Sequence, residues 1–208
     1  MRELIILGAG PHAAEMADIV AAVNSCSPRW RLRGFLSATA GAATGSPAGE
    51  LNGYPVLGTL ADLPAYPAAE VLLEYGVRLP AGAGNPVQSL VAPSAFVSRS
   101  ARLGAGSVVY PHCFVGARAV LGERAFLLAG AIINHDVHLD SDVTVCSGAT
   151  LAGGVRVERG AYLGQRCTVR QDLCVGADSL VGMGSVVTAD VPPRAVVAGN
   201  PARVRGWR

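Results

Sequence analysis

The chain has 208 residues, of which 50% are hydrophobic and 15% charged, proportions that fit a compact folded protein of one or two domains. A net charge of +2 argues against nucleic acid or a membrane surface as partner, and no apolar run is long enough to span a bilayer. Five cysteines, an odd number without a Cys-x-x-Cys pair, predict reduced thiols and a cytoplasmic setting.

The first ten residues do not read as a secretory signal, because their apolar run covers only residues 4–7, follows Glu3 and feeds a glycine turn. That run, Leu4-Ile5-Ile6-Leu7, predicts a buried parallel strand. Gly8-Ala9-Gly10-Pro11-His12 then turns into a helix expected through about residue 23, a second strand covers 31–36, and a Gly/Ala/Ser-rich loop follows at 39–49. Residues 54–58 lead into a short helix near 60–63, and 71–73 form a third strand. Residues 1–85 therefore read as a small βαβ, Rossmann-like domain. The segment 81–86, rich in Gly and Ala, is its flexible junction to residues 86–208.

A Gly-x-Gly turn ahead of a helix can hold phosphate on backbone N–H groups. A dinucleotide site also wants an acidic residue at the end of the second strand. Leu36-Ser37-Ala38 stands there instead, which argues against NAD. Two readings stay open: a mononucleotide group binds at the turn, or the glycines only make the turn tight. His12, at the helix start, either touches that ligand or is an ordinary exposed histidine.

From residue 91 onward another rule governs the chain. Every sixth residue from Val91 to Val187 is Val, Leu or Ile, seventeen in succession without an insertion. A period of six is neither that of a helix nor that of a plain strand; it is the mark of a hexapeptide β-helix. The residue two before each aliphatic is mostly small, as at Ala101, Ser107, Cys113 and Ala119, and alternation puts both on the inward side. Glycine often follows the aliphatic, as at Gly104, Gly116, Gly164 and Gly182, where the strand turns. Three hexads close a triangular coil of 18 residues, so the repeat makes almost six coils that bury one continuous aliphatic column. Without insertions the repeat carries no lid, and any site must use faces, corners, the other segments or another subunit.

The four histidines are His12, His112, His135 and His138. His135 lies two after Ile133, at a corner, with Asp136 beside it. An imidazole next to a carboxylate can act as a general base near neutral pH. One coil on, 135 + 18 gives Gly153, a residue that lets a ligand approach and offers a bare backbone N–H. A base beside such an amide is the pairing acyl transfer needs. A zinc site would need ligands a whole number of coils apart or meeting across an interface; the spacings 112–135 and 135–138 do not resemble such a pattern, so no metal is expected. His138 is expected to point outward.

With Gly8 to His12, Gly34-Phe35, Pro55-Val56-Leu57-Gly58, Asn134-His135-Asp136 and the ending Ala198-Gly199-Asn200-Pro201-Ala202-Arg203 in this order, the chain resembles the sugar acetyltransferases of the sialic acid O-acetyltransferase type and their relatives, which N-acetylate nucleotide-linked amino sugars in bacterial glycan biosynthesis. The resemblance implies a left-handed coil and a homotrimer with acetyl-CoA between adjacent prisms. It implies His135 as general base, Asp136 as its carboxylate partner and the Gly153 N–H at the thioester carbonyl. Thr144, Gly153, Gly164, Gly182 and Arg203 would line the cofactor side, and Gly8, Gly10, Pro11, His12 and Ser37 the sugar or nucleotide-sugar side. Three positions depart from the family's pattern: Thr144 replaces a second histidine, Leu128 replaces an Asn, and Leu36-Ser37-Ala38 replaces an acidic run. Thr144 and Leu128 favour an alternative, a non-catalytic nucleotide-sugar-binding or scaffold protein with a decayed acetyl-CoA site.

Overall fold

The structure is a computed structural model that describes residues 1–38 and 49–208; it divides into two compact units, Met1–Pro93 and Ser94–Arg208. The loop expected at 39–49 lies, up to its last residue, outside the described residues.

In the first unit, β1 (Arg2–Leu7), α1 (Pro11–Cys26) and β2 (Trp30–Ser37) form a parallel βαβ unit. They are followed by β3 (Glu50–Leu51), β4 (Tyr54–Thr59), a 3-10 turn (Leu60–Ala65) and β5 (Glu70–Leu73). The sheet order is β3-β4-β2-β1-β5, parallel except for the β3–β4 pair. Leu4, Ile5, Ile6 and Leu7 are all fully buried, as a central strand covered on both faces requires. Helix α1 opens with Pro11 in its first turn, where a missing N–H costs nothing, and buries Ala13, Met16, Ala17, Ile19 and Val20. Below β1, the Glu70 carboxylate pairs with Arg2 and accepts the Trp30 indole N–H (2.7 Å), so this buried acid is satisfied on both oxygens.

The second unit is a parallel β-solenoid. Sixteen two-residue strands run from Phe96–Val97 to Val186–Val187, and each up to Thr168–Val169 pairs in parallel with the strand 18 residues on, as Phe114–Val115 does with Ile132–Ile133. The strands fall into three sheets. One begins at Phe96–Val97 and carries Ile132–Ile133; a second begins at Arg102–Leu103 and carries His138–Leu139; a third carries Val108–Val109 and Thr144–Val145 and is extended by Ala195–Ala198 and the antiparallel Arg203–Trp207. From Val115 to Val187 every aliphatic of the series is buried, and so is the small residue two before each from Ser107 on.

The corners obey the same count. From Gly106 to Gly184, fourteen residues in succession, each three after an aliphatic, have positive φ. Six are Gly, four are Asp (Asp136, Asp142, Asp172, Asp178), three are Arg (Arg118, Arg124, Arg166) and one is His112. Asp tolerates this region better than most residues; the arginines are held there by the ladder. At successive coils the N–H of this residue donates to a carbonyl of the coil before, as Asp136 does to Ala117 (2.9 Å) and Gly154 to His135 (3.1 Å). The glycines after the aliphatics serve a purpose other than the expected turn. They are not at positive φ; a Cβ there would come within 2.5 Å of Glu123 N at Gly104, 2.7 Å of Met183 N at Gly164 and 3.0 Å of Ala198 Cβ at Gly182. They let one coil close onto the next.

Candidate active site

The His135 corner is assembled by the solenoid itself. Strand Ile132–Ile133 ends at Asn134, whose backbone N–H (3.1 Å) and side-chain Nδ2 (2.8 Å) both donate to the Leu151 carbonyl of the next coil. The His135 carbonyl accepts from Gly154 and the Asp136 N–H donates to Ala117, so the backbone is tied to the coils before and after. The side chains are therefore exposed but fixed at their root.

His135 Nδ1 lies 2.8 Å from Asp136 Oδ2. Asp136 in turn accepts two bonds from Arg118, Nε to Oδ1 at 2.6 Å and Nη2 to Oδ2 at 2.7 Å, the bidentate geometry that suits guanidinium to carboxylate. Arg118, and after it the His135 ring, hold the Asp136 carboxyl well below the usual carboxylate range. An ionised carboxylate can only accept, so Nδ1 carries the hydrogen, and in the neutral ring Nε2 holds the lone pair. The ring lines a cleft of about 250 Å³ together with Asp136, Gly153, Gly154, Gln171 and Asp172. The ring stands over Gly153: a Cβ on that residue would sit 2.5 Å from His135 Cε1 and 2.8 Å from Nε2. The Gly153 carbonyl accepts from Asp172 (3.1 Å), while its N–H has no acceptor among the described residues. A proton acceptor and an uncommitted amide donor thus lie side by side, the two groups acyl transfer uses.

The other residues singled out in the sequence lie elsewhere. Thr144 is buried in the third sheet, between Phe126 and Tyr162, and does not line the cleft. Gly164 and Gly182 stack one coil apart and are consumed by coil packing. Arg203 is exposed on Arg203–Trp207, with Nη1 donating to the Ala202 carbonyl. His138 points outward beside Asp140 (3.2 Å), and His112 is exposed at one of the positive-φ corners. Among the described residues no cluster of three or more His, Cys, Asp and Glu is arranged to hold a metal ion.

At the N-terminal turn, a carboxylate from the same chain already occupies the amides. Glu74, just past β5, accepts from Gly10 N–H (3.0 Å) and Ala13 N–H (3.1 Å), and its side chain fills the space a Cβ on Gly8 or Gly10 would need. The helix N-terminus is thus satisfied by an internal anion. Pro11 starts the helix, His12 pairs with Glu15 (3.1 Å) and meets the Tyr75 ring edge-on, and Ser37 is buried at the end of β2. Sequence reasoning missed Glu74, which is 64 residues from Gly10 and follows no period. It also missed Arg118, although 136 − 18 points straight at it.

Neither a protein-family model nor a curated protein matches the chain. Solved structures do. The chain is similar to the acetyltransferase domain of PglB from Neisseria gonorrhoeae FA1090, determined in complex with acetyl coenzyme A: 31% identity over 98% of this chain and 98% of that one, TM-score 0.86. It is also similar to PerB from Caulobacter crescentus, determined in complex with CoA and GDP-perosamine: 27% identity over 99% and 98%, TM-score 0.86. WeeI from Acinetobacter baumannii AYE, at 22% identity over 98% and 100% and a TM-score of 0.64, shares the fold.

Proposed function

We propose, for a chain that belongs to the nucleotide-sugar acetyltransferase family, that it moves an acetyl group from acetyl-CoA to the amino group of a nucleotide-linked sugar. The observation that carries this reading is the His135 ring, paired to Asp136 and standing over the bare Gly153 amide. His135 Nε2 takes the proton of the acceptor amine as its nitrogen attacks the thioester carbonyl. The Gly153 N–H stabilises the oxyanion that develops. When the carbon–sulfur bond breaks, the imidazolium returns its proton to the leaving thiolate. Asp136 keeps the imidazole in the tautomer this requires.

An amine acceptor is favoured over the sialic acid O-acetyl chemistry that the sequence resemblance also carried, because a similar structure holds GDP-perosamine and a related one is a perosamine N-acetyltransferase by name. The N-terminal unit would take the sugar or nucleotide as a Rossmann-like platform, and Thr144, Gly164, Gly182 and Arg203 would act away from the reacting atoms. A homotrimer with left-handed coils is part of the same proposal. Its support is an apolar ladder on the sheet that ends in the His135 corner: Phe96, Phe114 and Ile132 are 57%, 40% and 38% exposed, and the two phenyl rings stack at 5.1 Å. The unpaired cysteines fit the reducing cytoplasm proposed as its compartment.

The test is CoA release from acetyl-CoA over a panel of UDP-, GDP- and CMP-linked amino sugars and free sialic acid. His135→Ala is expected to lower turnover by roughly 10²–10⁴ with the fold intact. Full activity in that variant would refute the base assignment. Silence across the panel, with no binding of acetyl-CoA, would favour the scaffold reading.

A further inference from the structure

We propose that Arg118 is a positioning residue of this site, holding the Asp136 carboxylate and through it the orientation and basicity of His135. The inference rests on His135 as the base.

Three contacts form one chain: Arg118 to Asp136 at 2.6 and 2.7 Å, and Asp136 to His135 at 2.8 Å. Asp136 Oδ2 belongs to both bonds, so the guanidinium and the imidazole compete for one oxygen. All three groups sit at corners locked by the coil ladder: Arg118 and Asp136 are positive-φ residues one coil, 18 residues, apart, and the Arg118 N–H is itself fixed by Ser100 Oγ (3.1 Å). The charged groups around His135 are few. Asp136 lies on its own corner, Arg118 on the coil before, and Asp172 two coils after, beyond Gly153 and Gly154. Arg118 and Asp136 also line the adjoining cleft, which holds His138, Asp140, Arg156 and Glu158.

Two consequences follow. The bidentate grip fixes the plane of the carboxylate, and so the plane of the ring bonded to it. The arginine charge also offsets the aspartate charge, so the imidazole meets a compensated carboxylate. Without Arg118 the full negative charge of Asp136 would stabilise the imidazolium and withdraw the base at neutral pH.

The solenoid supplies its own control. Arg124 grips Asp142 in the same bidentate way, at 2.7 and 3.1 Å and again 18 residues apart, but the residue before Asp142 is Ser141. If the Arg–Asp clamp only staples coils together, the two pairs should behave alike. If Arg118 serves the base, they should not.

The first readout is the ring titration of His135, followed by NMR on the full-length protein without substrates. Arg118→Gln is expected to move its midpoint up by about one pH unit, and Arg124→Gln to leave it in place. With acetyl-CoA and the best acceptor of the panel, Arg118→Gln should shift the acid limb of kcat/KM upward by the same amount. It should also lower kcat about tenfold at neutral pH, an effect of misplacing the base. Arg118→Lys should restore the position of the limb and only part of kcat, since a lysine supplies charge without the fork. An unmoved midpoint in Arg118→Gln, or an equal shift in Arg124→Gln, would overturn the proposal. Activity retained in His135→Ala would instead refute the base reading, and the substrate-free titration tells the two failures apart.

Discussion

At the scale of single residues, the site depends on an absence. Gly153 has no side chain, and the His135 ring occupies the space where a Cβ would be. Its φ is not positive, so alanine fits the backbone and only the ring must move. Gly153→Ala is expected to lower kcat by about 10²-fold, with KM for acetyl-CoA and thermal stability little changed. A variant with normal kcat would show that the ring and the amide do not act as a pair. The juxtaposition is legible in the sequence, because one coil is 18 residues and 135 + 18 is 153. The Arg118–Asp136 pair obeys the same sum, yet an arginine at a corner carries no chemical signature of its own. Glu74 was not legible at all: its partners are the N–H groups of Gly10 and Ala13, brought to it by sheet order. The turn that looked like a phosphate cradle holds a carboxylate of the same chain.

At the scale of elements, the column inside the solenoid is nearly all hydrocarbon and thiol. Three fully buried serines interrupt it: Ser107 donates to the Gly122 carbonyl (3.0 Å) and Ser185 accepts from Gly199 (3.3 Å), but Ser179 Oγ has no partner among the described residues. Ser179→Ala removes an unsatisfied hydroxyl and should stabilise the fold by about 1 kcal/mol, read as a higher denaturant midpoint; a lower midpoint would mean the hydroxyl has a partner. Burial pushes the Cys167 thiol up to about 12, from 9.0. A folded value above the unfolded one means that this contribution to stability is complete below about pH 9 and fades as the pH climbs towards 12. The solenoid should therefore weaken in that alkaline range, and Cys167→Ala should show less of the loss in chemical denaturation at graded pH. The inward positions were legible because stacking enforces the period at every coil. The β3–β4 pair was not: Pro55 breaks the strand pattern, and β4 tolerates it because that stretch pairs only with the short β3 and with β2.

At the scale of the whole molecule, two units of opposite logic share one chain. The first is a sheet whose order, β3-β4-β2-β1-β5, no periodicity announces; the second is a repeat that could be counted off the sequence. The proposed assembly belongs to this scale as well. Placing a charge at the centre of the exposed ladder, Phe114→Asp, is expected to convert a trimer into monomers in light scattering and to abolish CoA release with it. Monomeric protein with full activity would separate the chemistry from the assembly. The fourteen-step ladder of positive-φ corners has one more implication, for how such a chain can change its length. Every corner is addressed by its ordinal number, so losing one codon would send each later Val or Leu to a solvent-facing slot and each later corner to a residue that resists it. Deletions or duplications of whole hexads keep the downstream aliphatics and corners in phase, and only three hexads together also keep each residue on its own sheet. A deletion scan should therefore recover soluble protein at steps of six codons, with every downstream residue back on its own sheet only at steps of 18.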